Sequence, residues 1–376
     1  MTEWREEKLE NIFCIVKEVF KPSNEQQFKY IGLEHIEQGS LRLNGWGYSN
    51  SVQSNKYFFK KDDVLFGKLR PYFRKIIKAP FDGVCSTDIW VCRAKNNFDQ
   101  NFLFYFLANQ EFVDTANSTD EGTRMPRADW SFLKKTIWNI PPLPEQKAIA
   151  EVLSSLDDKI DLLTRQNKTL EDIAQAYFRK WFIEDASDKW EEKGLDEIAD
   201  FLNGLPLQKY PYKTGNPLHV IKIKELNNGF TDSSDLCSAD IPEQYIVHPG
   251  DVIFSWSGSL KVDIWKYGKG ALNQHLFKVT SCNYPKWFYY FWIKYHLPEF
   301  KMIAESKATT MGHIQRRDLS NAIVLVPENQ EINNMDNIMS PLIKKIEQNN
   351  AQILVLQKLR DTLLPKLISS EIRLKM

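Results

Sequence analysis

The sequence predicts an α+β fold: two globular α/β domains joined by two long antiparallel coiled-coil helices, with an internal pseudo-twofold repeat. Three observations support this prediction. A stretch of roughly forty residues after the proline-rich segment 141–144 contains neither glycine nor proline. A second long helical stretch lies near the C-terminus. Short motifs recur in the same order in both halves of the chain, which indicates an internal duplication.

The first long helix is predicted from its apolar spacing. Its apolar residues alternate in steps of four and three, the pattern of a coiled-coil seam. The seam includes Leu153, Leu156, Ile160, Leu163, Asn167 and Leu170. Pro144 suits a first helical turn, and Glu145 places a negative charge near the positive end of the helix dipole. Such a helix is about 55 Å long and needs a partner for its apolar stripe. The alternative is a long core helix of one globular domain.

A second helix supplies the expected partner. Pro327 and Glu328 lie 183 residues after Pro144 and Glu145. At the same offset, the seam continues with Ile343, Ile346, Asn350 and Ile353. Pro341 is expected to kink this helix or to start it. Asn167 and Asn350 occupy equivalent seam positions, so they either fix the register as buried polar residues or face water at a helix edge.

The globular parts repeat as well. Asp63-Val-Leu-Phe66 returns as Asp251-Val-Ile-Phe254, and Thr123-Arg-Met125 returns as Thr309-Thr-Met311. We therefore divide the chain into a first globular domain (1–140), a central helix (141–185), a second globular domain (186–325) and a distal helix with a tail (326–376). Within the domains, the runs 63–66 and 88–92 predict strands, and the segments 101–109 and 285–295 predict helices.

Composition restricts the possible functions. The formal net charge is zero, so any contact with nucleic acid depends on local basic patches. The sequence has no apolar run of membrane length, and its five cysteines lack metal-site spacing. We expect a cytoplasmic protein with reduced cysteines in its core.

A search for catalytic motifs favours a binding function. The sequence lacks a phosphate-binding glycine loop, a dinucleotide fingerprint and a nucleophile elbow. Its six histidines are scattered without ligand spacing, so no metal or cofactor site is predicted. Asp157 and Asp158 lie on a predicted helix flank, where a solvated surface is the expected role.

Basic and polar loops are the candidate nucleic-acid contacts. Eight basic residues lie between Lys56 and Lys78, a density that suits phosphate binding but also an ordinary solvated surface. Arginine and glutamine side chains in two further loops are suited to reading guanine and adenine. Residues 86–88 align with residues 273–275, and they suit either base contacts or hydrogen bonds at strand ends. The candidates are Lys68, Arg70, Arg74, Lys75, Thr123, Arg124, Arg127, Ser257, Lys261, Thr309, Thr310, His313, Gln315, Arg316 and Arg317.

The chain resembles the specificity (S) subunits of type I restriction-modification systems. The resemblance is carried by PPLPEQKAIAEVLSSLDDKI and LTRQNKTLEDIAQAYFRKWF in the central helix, and by IKKIEQNNAQILVLQKLRDTLLPKLISSEI in the distal helix. It covers essentially the full length, although the globular domains match only in short anchors. In the first half, Gly122-Thr-Arg124 departs from the small-Thr-Thr pattern that the family uses at this loop.

This resemblance implies a DNA-reading function. Each globular domain would be a target-recognition domain that reads one half of a bipartite, asymmetric double-stranded DNA site in the major groove. A helix of about 55 Å and a rise of about 3.4 Å per base pair place the two readers at most some sixteen base pairs apart. The resemblance also implies that two modification subunits carry out adenine methylation with S-adenosylmethionine. ATP-dependent translocation and cleavage would belong to restriction subunits, and this chain would bind no cofactor and catalyse no reaction.

Two other functions compete with this interpretation. One is a non-catalytic protein-binding scaffold with two heads on a coiled-coil rod, to which the neutral net charge and the weakly basic second domain are suited. The other is a methyltransferase or nuclease without a recognisable motif. Salt-insensitive partner binding without DNA affinity would favour the scaffold, and turnover by the pure chain would favour the enzyme.

Overall fold

A computed structural model describes residues 3–22, 26–118, 125–231, 233–306 and 312–374. The chain forms two compact units. Unit 1 comprises Met1–Lys159 together with Leu356–Met376, and unit 2 comprises Ile160–Val355. Among the described residues, no helix combines the length and the apolar content that a membrane crossing requires.

Unit 1 is built from short strands and helices followed by the start of a long helix. Its strands are β1 (Arg5–Lys8), β2 (Phe13–Val16), β3 (Val19–Phe20), β4 (Lys29–Ile31), β5 (Gly47–Tyr48), β6 (Lys56–Phe59), β7 (Val64–Gly67), β8 (Ile76–Lys78), β9 (Gly83–Cys85), β10 (Ile89–Ala94) and β11 (Ile137–Ile140). Its helices are α1 (Leu9–Ile12), α2 (Gln100–Ala108), α3 (Gln110–Asn117), α4 (Trp130–Leu133) and the first part of α5 (Leu143–Arg179).

Unit 2 contains the rest of α5, a π-helical turn (Lys180–Glu184) and a second set of strands and helices. Its strands are β12 (Glu191–Gly194), β13 (Asp200–Asn203), β14 (Leu218–Ile221), β15 (Leu236–Cys237), β16 (Ile246–Val247), β17 (Val252–Ser255), β18 (Lys261–Ile264), β19 (Gly270–Leu272), β20 (Leu276–Thr280) and β21 (Ile323–Val326). Its helices are α6 (Leu195–Ile198), α7 (Ile223–Asn228), α8 (Lys286–Ser306), α9 (Arg316–Ser320) and α10 (Asn329–Ile368), whose last turns belong to unit 1.

The strand order confirms the internal repeat. Unit 1 has sheets β1-β11, β2-β10-β7-β8 and β3-β6-β9-β4-β5, and unit 2 has sheets β12-β21, β13-β20-β17-β18 and β15-β14-β19-β16. The two-stranded sheets correspond, as do the antiparallel four-stranded sheets that contain β7 and β17. Each third sheet contains one parallel pair, β4 with β9 in unit 1 and β14 with β19 in unit 2.

The repeated aspartate has the same local role in both units. The Asp63 carboxylate accepts a hydrogen bond from the backbone N–H of Lys60 at 2.8 Å and from the guanidinium of Arg93 at 2.7 and 2.8 Å. In unit 2, the Asp251 carboxylate accepts one from the backbone N–H of His248 and pairs with Lys278, each at 2.8 Å. The aspartate therefore fixes the turn before the central buried strand, β7 or β17.

Helix α5 spans 37 residues, close to the predicted length, whereas α10 is longer than the sequence indicated. Helix α10 starts at Asn329, runs through Pro341 and continues past Pro365 to Ile368. The seam residues predicted from spacing are buried or half-buried: Leu153, Leu156, Ile160, Leu163, Asn167, Leu170, Ile343, Ile346, Asn350 and Ile353. Helix α8 also extends beyond the predicted segment, to Ser306, and contains Pro298.

Helices α5 and α10 are antiparallel in unit 1 and are joined by side-chain amides in unit 2. In unit 1, Glu145 pairs with Arg373 beyond the end of α10, and twelve residues further along α5, Asp157 pairs with Arg360. In unit 2, the Asn167 side-chain amide donates to the Asn350 side-chain oxygen at 2.8 Å, and Asn349 donates to the side-chain oxygen of Asn167 at 2.8 Å. The seam asparagines are hydrogen-bonded to each other, and this arrangement specifies a register.

Two details differ from expectation. Asp157 does not lie on a solvated face, because it accepts hydrogen bonds from the Tyr105 hydroxyl and the Arg360 guanidinium, both at 2.8 Å. The cysteines are free, but the expectation that all of them lie in the core is wrong. Cys85, Cys92 and Cys237 are buried, whereas Cys14 and Cys282 are exposed.

Candidate nucleic-acid interface

Three loop segments meet at one end of the central sheet of unit 1. They are the connection between β7 and β8, the turn before β10, and the segment before α4. The backbone N–H of Lys68 donates to the carbonyl of Asp88 at 2.9 Å, and the N–H of Arg70 donates to the carbonyl of Pro126 at 2.7 Å. The N–H of Ala128 returns a bond to Lys68 at 2.9 Å. These bonds place basic side chains from distant parts of the sequence on one surface.

The connection between β7 and β8 has an unusual backbone. Arg70 and Arg74 have φ angles of 53° and 46°, and they flank the short 3-10 turn Pro71–Phe73. The left-handed region is sparsely occupied by residues other than glycine, and such residues occur often at functional sites. The Arg70 guanidinium lies 5.9 Å from the centre of the Phe73 ring, a distance suited to a cation–π contact.

A cavity of about 270 Å³ opens beside these residues. It is lined by Leu33, Leu69, Arg70, Phe73, Lys75 and Met125. The Lys75 ammonium donates to the carbonyl of Leu33 at 2.5 Å, and burial lowers the pKa of Lys75. The Nε of Arg70 is buried and has no hydrogen-bond partner among the described residues. The cavity thus combines apolar walls with two cationic groups.

Arg74 is placed differently from the other basic residues of this loop. Burial lowers the pKa of its guanidinium, and the strongest opposing influence is the carboxylate of Asp361 near the end of α10. The neighbouring turn Pro71–Phe73 also packs against α3. The side chain of Arg74 therefore faces the helices rather than the surface that carries Lys68 and Arg127.

The same three segments meet in unit 2. The backbone N–H of Gly258 donates to the carbonyl of Gly312 at 2.8 Å, and the N–H of Ile314 donates to the carbonyl of Trp256 at 3.1 Å. An isolated bridge pairs Ser257 with His313, as another pairs Leu69 with Arg127 in unit 1. The repeat has therefore preserved the backbone of the site.

The side chains of the two sites differ. In unit 1, the Nε of Arg127 lies 3.5 Å from a carboxylate oxygen of Asp88. In unit 2, the equivalent of Asp88 is His275, whose Nδ1 lies 3.1 Å from the Ser257 hydroxyl. The equivalent of Arg127 is His313, which is exposed. An ion pair in one unit is thus replaced by a pair of imidazoles in the other.

The remaining candidate residues of unit 2 are partly engaged. Lys261 pairs with Asp263 at 3.1 Å. Arg316 donates to the carbonyl of Phe201 at 3.1 Å and lies 5.9 Å from the Phe277 ring centre. The backbone of Gln315 is fixed by Asp318, and the Gln315 side chain is exposed, as is that of Arg317.

A family model described as "Type I restriction modification DNA specificity domain" matches residues 1–172 and again residues 187–358. The chain belongs to this family. The double match agrees with the repeated strand order, because each copy covers one set of sheets and most of one long helix.

Members of the specificity family are similar to this chain over much of its length. It is 30% identical over 331 residues to the type I restriction enzyme MjaIX specificity subunit of Methanocaldococcus jannaschii, covering 81% of this chain and 72% of that protein. It is 26% identical over 202 residues to the EcoDI specificity subunit of Escherichia coli, covering 52% of this chain and 45% of that protein. The crystal structure of a type I restriction-modification S subunit from M. genitalium has the same fold, with a TM-score of 0.57, 17% identity and coverage of 97% and 96%.

Four candidate residues, Thr123, Arg124, Thr309 and Thr310, lie outside the described residues. In the part of the chain that the structure describes, no cluster of histidine, cysteine or acidic side chains is arranged to hold a metal ion.

Sequence reasoning missed two aromatic groups of the site. Phe73 and Trp256 contact the polar residues of units 1 and 2, respectively. The available signal was an aromatic residue inside a loop of polar or basic residues, next to Arg74 in one case and between two serines in the other.

Proposed function

We propose that each unit reads one half of a bipartite, asymmetric site on double-stranded DNA for a type I restriction-modification complex. The observation that carries the proposal is the repeated three-segment site with different side chains in each copy. Since base contacts specify sequence, Asp88 and Arg127 in unit 1 and His275 and His313 in unit 2 would select different bases. The target-recognition domains would extend over residues 1–140 and 186–325.

Phosphate and base contacts would come from the candidate side chains predicted from the sequence. The proposed contacts of unit 1 are Lys68, Arg70, Lys75, Thr123, Arg124 and Arg127, whereas Arg74 faces the helices. The proposed contacts of unit 2 are Lys261, Thr309, Thr310, His313, Gln315, Arg316 and Arg317, whereas Ser257 is only 3% exposed and would act through its neighbours. Because the net charge of the chain is zero, DNA affinity would arise from these local groups and would fall steeply with salt.

The partners would supply the chemistry. Two modification subunits would dock on the helical segments 141–185 and 326–376 and methylate adenine with S-adenosylmethionine. Restriction subunits would provide ATP-dependent translocation and cleavage. This chain would itself bind no cofactor and catalyse no step, and it would act in the cytoplasm, where the DNA is. The length of the helical segment between the domains would set the number of unread base pairs.

The proposal is tested by co-expressing the chain with the modification subunit encoded beside it and mapping N6-methyladenine across the genome. A single split motif that disappears when this chain is omitted is the expected result. A stable complex without any methylated motif would contradict the proposal and favour a protein-binding scaffold.

A four-residue deletion in α5 between Ser154 and Thr164 tests the role of the helix length. It removes about one helical turn and should change only the spacer between the half-sites. Altered half-site sequences would contradict this role.

A further inference from the structure

We propose that Gln274 and His275 form the base-reading edge of unit 2, and that the buried hydroxyl of Ser257 holds the His275 imidazole in its reading orientation. This inference rests on the proposed DNA-reading function and names the residues that carry specificity in one half-site.

The backbone of this edge is fixed by hydrogen bonds. The N–H of Asn273 donates to the carbonyl of Ile221 at 3.2 Å, and the N–H of Gln274 donates to the carbonyl of Leu205 at 2.9 Å. The N–H of His275 donates to the side-chain oxygen of Asn273 at 3.2 Å. Because successive residues are each anchored, the Gln274 and His275 side chains project from a rigid turn between β19 and β20. A site that reads bases needs such pre-organisation.

Ser257 is suited to positioning rather than to reading. The residue is only 3% exposed, so its hydroxyl is poorly placed to contact a base. Its hydroxyl lies 3.1 Å from Nδ1 of His275, and a hydroxyl can either donate to or accept from a ring nitrogen. The hydrogen bond at one ring nitrogen determines which nitrogen carries the proton. The Ser257 hydroxyl therefore restricts the rotation of the imidazole, and it can pair with Nδ1 in either protonation form of the ring.

The reading groups are adjacent. Nε2 of His275 lies 3.3 Å from the side-chain nitrogen of Gln274. The two side chains are therefore within hydrogen-bonding distance of each other. A carboxamide can bind adenine through two hydrogen bonds, and an imidazole offers one further donor or acceptor. Together they can read one base pair or two neighbouring base pairs in the major groove.

Trp256 forms an aromatic wall beside these groups. The centre of its ring lies 6.0 Å from that of His275 and 6.2 Å from that of His313. The indole N–H donates to the Asn203 side-chain oxygen at 3.0 Å, which fixes the ring. The wall restricts the orientations open to the His275 imidazole.

Unit 1 lacks this arrangement. Leu69 stands where unit 2 has Ser257, and Asp88 stands where unit 2 has His275. Asp88 pairs with Arg127 instead of a hydroxyl. We therefore expect Gln274 and His275 to contact only the half-site that unit 2 reads.

The test compares methylated motifs of the complete complex, co-expressed with its modification subunit, for the wild type and for Q274A, H275A, S257A and S257T. Losing a paired base contact costs about 1–3 kcal/mol, so we expect Q274A and H275A to reduce discrimination roughly tenfold or more at one or two adjacent positions of one half-site. S257A should reduce base discrimination at the same position as H275A. S257T keeps the hydroxyl and should retain the discrimination of the wild type. The control is H248A, since His248 is an exposed histidine that bonds Asp251 only through its backbone.

The outcomes separate this inference from the proposed function. A wild-type motif that Q274A and H275A leave unchanged would overturn the inference and leave the proposed function intact. The inference would also be wrong if Q274A and H275A relaxed both half-sites equally, or if H248A relaxed the motif as much as they do. A wild-type complex without any motif would overturn the proposed function and the inference with it. Co-purification of each variant with the modification subunit shows that the variant chain is folded.

Discussion

Unit 1 and unit 2 share a strand order, but their helices α2 and α8 contact the long helices through different polar groups. In unit 1, Tyr105 on α2 donates to Asp157, which also accepts from Arg360. In unit 2, the equivalent Tyr290 on α8 donates to Glu171 at 3.3 Å, and Glu171 pairs with Lys294. Arg360 is 2% exposed, whereas the side chains of Lys294 and Glu171 are 26% and 41% exposed.

This difference teaches which parts of a duplicated fold are constrained. The aspartate turn before β7 and β17 is preserved because it satisfies backbone groups. The contacts of α2 and α8 with the long helices differ in the element that supplies the cation and in burial. The surface loops differ most, since each unit has its own side chains on a common backbone. Divergence therefore increases from the sheet to the proposed DNA-reading surface.

The largest expected effect is the difference in stability loss between a variant of Arg360 in unit 1 and a variant of Lys294 in unit 2. Arg360→Ala leaves Asp157 and Asp361 without their common cation. Since these carboxylates are 26% and 52% exposed, we expect a loss at the lower end of the about 3–5 kcal/mol that breaking a buried pair costs. Lys294→Ala removes a half-exposed pair and should cost about 1 kcal/mol or less. Hydrogen exchange on the full chain measures both, through protection of α2 in unit 1 and of α8 in unit 2. Equal losses of protection in the two variants would contradict the comparison.

A smaller effect is expected at the asparagines of unit 2. Asn167→Ala removes one of the two acceptors of the almost fully buried Asn349 amide, whose other acceptor is the Gln166 side-chain oxygen. One buried N–H is then left unpaired, which costs about 1–3 kcal/mol. Denaturant unfolding with probes in α10 measures this cost. Gln348→Ala, at an exposed neighbouring position, is the control and should change stability little. A cost no larger than that of the control would show that the amide pairs do not stabilise unit 2.

The pH dependence of stability should also differ between the two units. Hydrogen bonds from Arg373 hold the pKa of Glu145 below its ordinary value. A lowered folded-state pKa stabilises unit 1 at neutral pH, and this contribution is lost as the pH falls through the ordinary glutamate value of about 4.3 toward the lowered one. Glu145→Gln should cost about 1–2 kcal/mol at pH 7 and much less at pH 3.

The amide pairs of unit 2 do not titrate, so Asn167→Ala should show no such pH dependence. Thermal unfolding of both variants at several pH values makes the comparison. A pH-independent cost of Glu145→Gln would contradict the assigned ion pair.

The smallest expected effects concern DNA affinity. Lys68→Ala in unit 1 should weaken binding to non-specific duplex severalfold and reduce the salt dependence by about one phosphate contact. Lys261→Ala in unit 2 should weaken it less, because Asp263 already pairs with Lys261. Binding titrations of the complete complex at several salt concentrations measure both. A larger effect of Lys261→Ala would reverse the proposed assignment of phosphate contacts.

Much of the fold was predictable because it depends on periodicity and repetition. The seam from Leu153 to Leu170 follows from side-chain spacing alone. The aspartate motifs at Asp63 and Asp251 mark equivalent strands, and α2 lies within one residue of its predicted bounds. These features depend on residues that are close together in the sequence, and in a duplicated chain each pattern occurs twice.

The remaining features depend on contacts between distant residues. Asp157 was expected to be solvated because its partners, Tyr105 and Arg360, lie 52 and 203 residues away. Arg74 belongs to a dense basic segment, but the left-handed backbone at Arg70 and Arg74 directs its side chain toward the helices. Ser257 was predicted as a DNA contact from its loop, yet burial leaves its hydroxyl facing His275.

The central claim is that the two units read DNA independently of each other. Replacing residues 1–140 by the corresponding domain of another family member, in the complete methylating complex, tests this claim most directly. Mapping N6-methyladenine should show one half-site replaced by that of the donor, with the other half-site and the spacer unchanged. A change in both half-sites would contradict the claim.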